Sequence, residues 1–343
     1  MSSTFPNQSS NSGNDSTIAL VDPTYYGLPL YTSIVLDTPR SQTATSSMRY
    51  YNLIVLPIVA IAGIFGNICS FLVMTSRKFR VFSYSQYLAG LAVFDMITLF
   101  AYTVPFLNYV SLPRFVMTYS SNISCAVHEY ICMVNDTISS WMVIVITAER
   151  FAIVVWPFSA RTIATPSFSR KVVVALAVII YCVYIYLLII VEYKHHINRK
   201  TCVMANRWRS VHFQIATVIT VYFPTFCILA LNAMLSIILR RSQSFGAGAT
   251  KAASTRKATV MVMTVSILFV IFTYPTASFM LISTFISISP EAIMVGSSIT
   301  GSLYAANSAI NFYVYILAGD EVKNFVVEKI RSWIDSMRHF CNH

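Results

Sequence analysis

Seven long, mostly apolar segments divide this chain, and short polar segments separate them. A helix needs about 20 mostly apolar residues to cross the hydrocarbon core of a bilayer. Only 11% of the 343 residues are charged, which makes a soluble enzyme or a disordered chain a poor fit. We therefore predict an all-α membrane protein, a seven-transmembrane helix bundle whose helices cover about residues 50–75, 84–109, 121–155, 171–192, 210–240, 256–286 and 292–318.

The segments on either side of these helices predict two further parts. Residues 1–47 are rich in Ser, Thr, Asn and Pro and contain no apolar run, which is typical of a disordered tail. Residues 319–343 follow the last helix, and an apolar stripe that includes Phe325 and Trp333 lies there beside basic residues. After the seven-transmembrane domain of residues 48–318, we therefore expect a short amphipathic helix in the membrane interface and a short cytoplasmic tail.

Basic residues predict the orientation of the bundle. Most of the 24 Lys and Arg residues fall on the segments that lie on the same side as the C-terminus, and cytoplasmic segments carry such an excess. We expect a multi-pass protein of the plasma membrane with an extracellular, glycosylated N-terminus. The tripeptides that begin at Asn7, Asn14 and Asn122 match the glycosylation sequon and would lie outside the cell. The net charge of +11 indicates membrane lipids, and not nucleic acid, as partners.

Cysteine usage fits this orientation. Of the seven cysteines, only Cys125 and Cys202 fall in the predicted outer segments, where disulfides form and persist. We expect a disulfide between them, and two free thiols at the outer surface are the alternative. The other five fall within the spans or in the inner tail.

Polar and helix-bending residues occur in a recognisable order along the predicted spans. Polar groups inside a bilayer are expensive, so each one needs a reason. The motifs are, in chain order, Gly66-Asn67, Leu91–Asp95, Glu149-Arg150-Phe151, Pro224, Phe269 with Pro275, and Asn307–Tyr315. This ordered set resembles the class A (rhodopsin-like) G protein-coupled receptors over about residues 50–337. The resemblance implies a receptor that binds a ligand outside the cell and activates a heterotrimeric G protein inside it.

Some positions depart from that family's pattern. Helix 6 has Phe272-Thr273-Tyr274-Pro275 where the family has Cys-Trp-x-Pro, and Phe312 replaces the Pro of its Asn-Pro-x-x-Tyr motif. Asn232 stands where helix 5 of the family has a Tyr. These departures concern the switch and not the fold. Residues 148–166 and 311–315 resemble the invertebrate FMRFamide-type neuropeptide receptors within the family.

Asp95 is a lone carboxylate in the middle of a predicted span, and burying it in ionised form is costly unless it is paired. The resemblance implies an allosteric Na⁺ site around it. Carboxylate, amide and hydroxyl oxygens are hard ligands that suit such a cation. The candidate ligands are Asp95, Asn135, Ser139, Asn307, Ser308 and Asn311. The alternative is a structural hydrogen-bond network around a protonated Asp95.

Two further carboxylates lie on one face of helix 3, because Glu129, Cys132 and Asp136 are spaced by three and four residues. The resemblance implies that this face lines the ligand cavity. A guanidinium, such as that of an Arg-Phe-amide peptide end, would pair with a carboxylate through two parallel hydrogen bonds. The candidate ligand-binding residues are Glu129, Cys132, Asp136, His212, Thr273 and Tyr274.

Asp136 is deeper in the span than Glu129 and is the first candidate for the cationic contact. Two alternatives remain open. Asp136 could instead belong to the network around Asp95. Glu129 could instead pair with a base of the second outer loop, such as Lys194, Arg199 or Arg207.

Arg150 marks the inner end of helix 3. The resemblance implies that it acts as a lock, which opens when helix 6 moves outward and a G protein helix docks. An ordinary Arg at the inner membrane boundary is the alternative. The residues assigned to this switch are Glu149, Arg150, Phe269, Pro275 and Tyr315.

The leading functional hypothesis is a G protein-coupled receptor for a neuropeptide, which could be amidated and FMRFamide-like. The chain contains no nucleotide-binding glycine loop, nucleophile elbow or metal-ligand cluster, so we expect neither an enzyme nor a cofactor other than the Na⁺ ion. The alternatives are a receptor of the same fold for a non-peptide ligand, or a seven-helix transporter or scaffold without G protein signalling. A transporter should show broken helices or internal repeats.

Overall fold

The computed structural model describes residues 39–109, 121–196, 199–204, 206–243, 250–286 and 288–341. Two antiparallel strands, β1 (Val191–His196) and β2 (Arg199–Met204), form a hairpin within an otherwise helical fold. The helices are α1 (Pro39–Thr75), α2 (Ser83–Tyr109), α3 (Asn122–Val155), α4 (Pro157–Ile163), α5 (Pro166–Val183), α6 (Leu187–Ile190), α7 (Asn206–Thr217), α8 (Phe223–Gln243), α9 (Thr250–Phe285), α10 (Pro290–Ala318) and α11 (Asp320–Cys341).

The predicted bundle of seven long helices is confirmed. Six helical segments are long and apolar enough to cross a membrane, namely Ile54–Thr75, Ser83–Thr103, Asn122–Val155, Pro166–Ile190, Gln214–Arg241 and Arg256–Ser283. The seventh long helix, α10, is not among these six, and several of its serines are buried against its neighbours. We call the end of the bundle that carries β1 and β2 the hairpin end, and the opposite end, where α10 passes into α11, the α11 end.

The centre of the bundle is α3, which packs against α2, α5, α8 and α9. Half of its apolar window is buried, whereas only 17% of the window that covers α5 and α6 is buried. On the other side, α1 lies between α2 and α10. Gly63 makes this close approach feasible, because a Cβ atom there would lie 2.6 Å from Cβ of Ala309. The helices that carry most of the predicted polar motifs therefore adjoin one another.

Helix boundaries differ from the predicted ones in several spans. α1 begins at Pro39, so its first turns overlap the tail that the sequence predicts up to Ser47. The fourth span begins at Pro166, where the Thr165 hydroxyl caps the helix by accepting from the Phe168 backbone N–H at 3.2 Å. A capping Thr followed by Pro is a helix start signal. The same span ends before β1, whose strand-forming residues replace the last predicted helical positions.

The fifth span is interrupted by a π-helical turn, Val218–Tyr222, between α7 and α8. Trp141 on α3 contacts this turn, since its indole Nε1 donates to the Ile219 carbonyl at 3.1 Å. The Trp141 ring also stacks on Phe223 at 5.6 Å between centroids. The irregular turn is therefore held against the central helix.

The amphipathic helix predicted after the seventh span is present as α11. Its residue Phe325 packs edge-to-face on the fully buried Phe79 of the α1–α2 connection, with centroids 5.4 Å apart. On its other side Ile330 and Trp333 are exposed. One apolar edge of α11 thus attaches to the bundle, and another is available to a membrane interface.

Candidate functional site

The Asp95 carboxylate is fully buried at a junction of three helices. Its Oδ1 accepts a hydrogen bond from the Ser139 hydroxyl on α3 at 3.0 Å, and its Oδ2 accepts one from Asn311 Nδ2 on α10 at 2.8 Å. Ser308 is a third hydrogen-bonding partner. Asn67 on α1 fixes this part of α10, because its Nδ2 donates to the Ser308 carbonyl at 2.8 Å. The helices α1, α2, α3 and α10 are therefore linked through one polar layer.

The two other candidate sodium ligands, Asn135 and Asn307, are not among the hydrogen-bonding partners of Asp95 in the described part of the chain. Asn135 is fully buried and its Nδ2 donates to the Ile131 carbonyl at 2.7 Å. The Asn135 Oδ1 has no hydrogen-bond partner among the described residues. Asn307 is only partly buried and lies one helical turn before Asn311. An unpartnered buried amide oxygen, one helical turn before the Ser139 that binds Asp95, fits a small hard cation, because such an oxygen needs a positive partner.

Asp136 forms a second polar layer, closer to the hairpin end. The Tyr102 hydroxyl on α2 donates to Asp136 Oδ2 at 2.6 Å, and Tyr304 on α10 is a further hydrogen-bonding partner. The rings of Tyr102 and Tyr304 meet edge-to-face at 6.3 Å. Only 6% of Asp136 is exposed. The structure therefore places this carboxylate beneath two tyrosines.

Glu129 and Cys132 lie nearer the start of α3 and share His128 as a neighbour. Glu129 Oε1 is 3.8 Å from His128 Nδ1, and Cys132 Sγ is 3.7 Å from His128 Nε2. His128 Nε2 also lies 3.1 Å from the Ala101 carbonyl. The loop bases that could compete for Glu129 have side chains outside the described residues. His128, which the sequence analysis does not single out, thus connects two of the predicted ligand-binding residues.

The remaining candidate ligand residues do not gather around Asp136. His212 on α7 is hydrogen-bonded through Nδ1 to the Tyr186 hydroxyl at 2.6 Å. Thr273 is buried and donates to the Phe269 carbonyl on its own helix at 2.7 Å. Tyr274 is 46% exposed and meets the Tyr222 ring edge-to-face at 5.9 Å. Among the described residues, none of these three is a hydrogen-bonding partner of Asp136.

At the α11 end, Arg150 is buried and lines a cavity of about 270 Å³. Its Nη2 lies 3.2 Å from Glu149 Oε2 and 3.3 Å from the Ser83 hydroxyl, and its guanidinium carbon is 5.1 Å from the Tyr84 ring centroid. The cavity lies between α2, α3, α9 and the junction of α10 with α11, and it is also lined by Phe79, Ile153, Lys257, Met261, Gly319, Asp320 and Glu321. This guanidinium therefore faces an opening at one end of the bundle.

An apolar layer occupies the space between this cavity and the Asp95 layer. Tyr315 and Phe269 are both buried, and Pro275 lies inside α9. Around Tyr315 the layer consists of Leu88, Val143, Ile146, Met261, Val262 and Val265. The predicted switch residues thus fall into two groups, with Glu149 and Arg150 at the cavity and Phe269, Pro275 and Tyr315 deeper in the bundle.

Comparison of this sequence with known proteins identifies the family to which the chain belongs. The profile of the family "7 transmembrane receptor (rhodopsin family)" matches residues 66–315, which is more than half of the chain. This chain belongs to that family. A Caenorhabditis elegans protein named "Probable G-protein coupled receptor B0563.6" is 27% identical to the receptor over 153 residues, which are 42% of this chain and 34% of that protein. The receptor therefore spans about a third of the length of the curated relative it matches.

The membership confirms the class A resemblance, and this family is generally non-enzymatic. Neither comparison bears on the FMRFamide-type resemblance.

The predicted disulfide between Cys125 and Cys202 stays a prediction. Cys125 is fully buried in the first turn of α3 and is not one of the free thiols among the described side chains, which are Cys69, Cys132, Cys182 and Cys227. Cys202 pairs with Tyr193 in the backbone register of the hairpin, but its side chain lies outside the described residues.

Of the predicted glycosylation sites, Asn7 and Asn14 lie outside the described residues, and Asn122 is exposed where α3 begins.

The sequence predicted the buried acids of the site, but it did not predict the two tyrosines beside Asp136. Tyr102 is seven residues after Asp95, and Tyr304 is seven before Asn311, so each shares a helix face with a predicted site residue. That spacing was the available signal.

Proposed function

We propose that this receptor binds an extracellular peptide and activates a heterotrimeric G protein, from a plasma-membrane position with its N-terminus outside the cell. The observation that carries the proposal is the content of α3. This one central helix bears two buried or half-buried carboxylates toward the hairpin end, Glu129 and Asp136, and a buried guanidinium, Arg150, at a cavity on the α11 end. Ionisable groups inside a membrane bundle indicate function by default.

The ligand that best suits the hairpin end is a cationic, aromatic peptide end such as an amidated Arg-Phe. Glu129 is the carboxylate that a ligand meets first, since 13% of its side chain is exposed. Asp136 lies deeper, and a guanidinium that reaches it must displace the hydroxyl of Tyr102. The rings of Tyr102 and Tyr304 then offer faces for the cation. A disulfide between Cys125 and Cys202 would hold the hairpin over this region.

The Asp95 layer supports a proposal of Na⁺ binding. Asp95, Ser139, Ser308 and Asn135 would supply oxygen atoms, and a bound cation would supply the positive charge that these groups lack. Asn311 already donates to the carboxylate and would orient it. In this proposal the ion stabilises the polar layer and takes part in no chemical step.

The peptide proposal is tested by measuring calcium or cAMP responses in transfected cells to a panel of amidated peptides. For an active Arg-containing peptide, Asp136→Asn should lower potency about 30-fold or more, because losing one member of a buried charge pair costs about 2–5 kcal/mol. The matched control is the same peptide with citrulline, the neutral analogue of Arg. Its potency should be equally poor on the parent and on Asp136→Asn, and equal losses for both peptides would contradict the ion pair.

The G protein proposal has its own test. Arg150→Ala should abolish ligand-stimulated nucleotide exchange on purified heterotrimers, while ligand affinity changes far less, because Arg150 lies at the end of the bundle opposite Asp136. Ser83→Ala removes only one of its hydrogen bonds and serves as the mild control. Full exchange by the Arg150→Ala receptor would contradict the assignment of this cavity.

A further inference from the structure

The inner part of α9 is attached to the start of α11 by an ion pair. Lys257 Nζ lies 2.8 Å from Asp320 Oδ2, and both residues line the same cavity as Arg150. The pair is solvent-exposed, and the hydrogen bond from Lys257 holds the pKa of the Asp320 carboxyl below its ordinary value. The two residues are far apart in the chain, so the contact reports how α9 is placed against the α10–α11 junction.

A second contact one turn further along α9 supports the same attachment. Met261 lies on the Lys257 face of α9, four residues on, and approaches Gly319, where a Cβ atom would lie 3.0 Å from the Met261 sulfur. A Cβ atom at Gly319 would also lie 2.6 Å from the Tyr315 carbonyl oxygen. The backbone is therefore closely packed where α10 turns into α11. α9 rests on this junction through Met261 and is tied to it by charge through Lys257.

Arg150 cannot provide a comparable tie to α9. Residues 250–286 contain no Asp or Glu, so α9 has no acid with which to pair the guanidinium. In the structure Arg150 instead contacts Glu149 on its own helix and Ser83 and Tyr84 on α2. The Lys257 charge on the inner turns of α9 is paired with α11 instead.

We propose that the Lys257–Asp320 pair is a latch that holds α9 over the cavity and keeps the receptor in its resting state. The inference rests on the proposed coupling to a G protein. A cavity of about 270 Å³ is below the range of about 300–1,000 Å³ that accommodates drug-sized ligands. A helical segment is about 10–12 Å across and needs more room than such a ligand. One wall must move before a G protein helix can enter, and opening the latch releases α9.

Basal nucleotide exchange on purified heterotrimers, measured without ligand, tests the latch in the full-length receptor. Asp320→Asn should raise basal exchange about two- to fivefold, the range expected from losing one exposed ion pair. Asp320→Lys should raise it further, because two positive charges then meet. The exchanged pair, Lys257→Asp with Asp320→Lys, should return exchange to the parent level. The control is Asp335→Asn, which removes an acid from the same helix outside the cavity.

Two results would overturn the latch: no recovery in the exchanged pair, or an equal rise in Asp335→Asn. A second readout does not need a G protein. A cysteine introduced by Met261→Cys, which replaces a buried side chain, should react faster with a charged thiol reagent when Asp320→Asn is added, and at the original rate in the exchanged pair. If no heterotrimer responds even to the parent receptor, the proposed function fails. The labelling rates still decide whether the pair holds α9, and unchanged rates would refute it.

Discussion

The two sides of the bundle are held together in different ways. On the side of α1, α2, α3 and α10, helices approach closely at Gly63, and buried polar bonds cross between them, such as Asn67 to Ser308 and Asn311 to Asp95. On the side of α8 and α9, the two helices share far less contact. Near their inner ends an amide–hydroxyl bond joins them, from Asn232 to Ser266, and the inner part of α9 is further tied to α11 by the exposed ion pair described above.

This difference indicates which part of the receptor can move. Shifting a helix on the first side requires breaking backbone contacts and leaving polar groups unpaired in an apolar environment, which costs several kcal/mol. The outer half of α9 is held on α10, where the Thr276 hydroxyl donates to the Thr300 carbonyl at 2.6 Å. Shifting the inner half of α9 requires breaking contacts that each contribute about 1 kcal/mol or less. The scaffold and the mobile wall are therefore separated in the fold, and the cavity with Arg150 lies between them.

The largest effect should come from filling the closest contact on the scaffold side. Gly63→Ala should destabilise the receptor by about 3 kcal/mol, because overpacking a well-packed interior costs about 1–3 kcal/mol and occasionally more. The new Cβ atom would meet Leu99 at 2.5 Å and Ala309 at 2.6 Å. Thermal unfolding of the purified receptor in detergent measures the loss. Gly66→Ala is the control, since its nearest contacts are at 3.2 Å, and equal losses in both variants would contradict the close approach.

A somewhat smaller loss should follow from removing the acid that links three scaffold helices. Asp95→Ala leaves the Ser139 hydroxyl and the Asn311 amide buried without their acceptor, and about 2 kcal/mol of stability should be lost. The same variant tests the cation. The parent should unfold at a higher temperature in NaCl than in choline chloride of equal ionic strength, and Asp95→Ala should show no such difference. Asp335→Asn, which removes an exposed acid, should retain it.

Much of this scaffold could be predicted from the sequence, because a bilayer imposes both the length and the apolar composition of each span. Asp95, Ser139, Ser308 and Asn311 could also be predicted to meet, since a buried carboxylate requires partners and the family pattern supplied their positions. The seven-residue spacings put Tyr102 and Tyr304 on the faces of predicted site residues, but their contact with Asp136 could not be predicted. A Tyr in an apolar helix is equally typical of a membrane interface, and only the packing of three helices turns these two toward Asp136.

The irregular elements were also beyond prediction. The π-helical turn at residues 218–222 widens a helix without changing its apolar composition, so hydropathy shows one uninterrupted span. Its position depends on a partner far away in the chain, the indole of Trp141. Tyr274 illustrates the same limit, because it is one of the predicted ligand-binding residues, whereas the structure leaves it 46% exposed beside Tyr222.

Trp141 connects the scaffold to the mobile side, and removing its hydrogen bond should have an intermediate effect. Trp141→Phe keeps an aromatic ring against Phe223 but leaves the Ile219 carbonyl without its donor, so about 1 kcal/mol of stability should be lost. Thermal unfolding measures the change. Trp156→Phe is the matched control, because Trp156 is 57% exposed at the end of α3. A loss in the control as large as in Trp141→Phe would show that indole removal in general, and not the bond to the turn, is responsible.

The smallest stability effect, and the one that separates the two sides most clearly, concerns the tie between α8 and α9. Asn232 Nδ2 donates to the Ser266 hydroxyl at 2.7 Å, and the Asn232 Oδ1 is buried without a partner among the described residues. Hydrogen bonds between membrane helices contribute about 0.6 kcal/mol on average. A double-mutant cycle of Asn232→Leu and Ser266→Ala should return a coupling energy of about that size.

The signalling effect of the same bond should exceed what its small stability contribution suggests, because we propose that α9 is the wall that moves. Ser266→Ala should raise basal nucleotide exchange about two- to threefold, the change in an equilibrium that about 0.6 kcal/mol produces. Thr264→Val is the control, since its hydroxyl donates to the Val260 carbonyl on the same helix. If Ser266→Ala lowered stability without changing basal exchange, α9 would not be the moving element, and the contrast between the two sides would be one of packing alone.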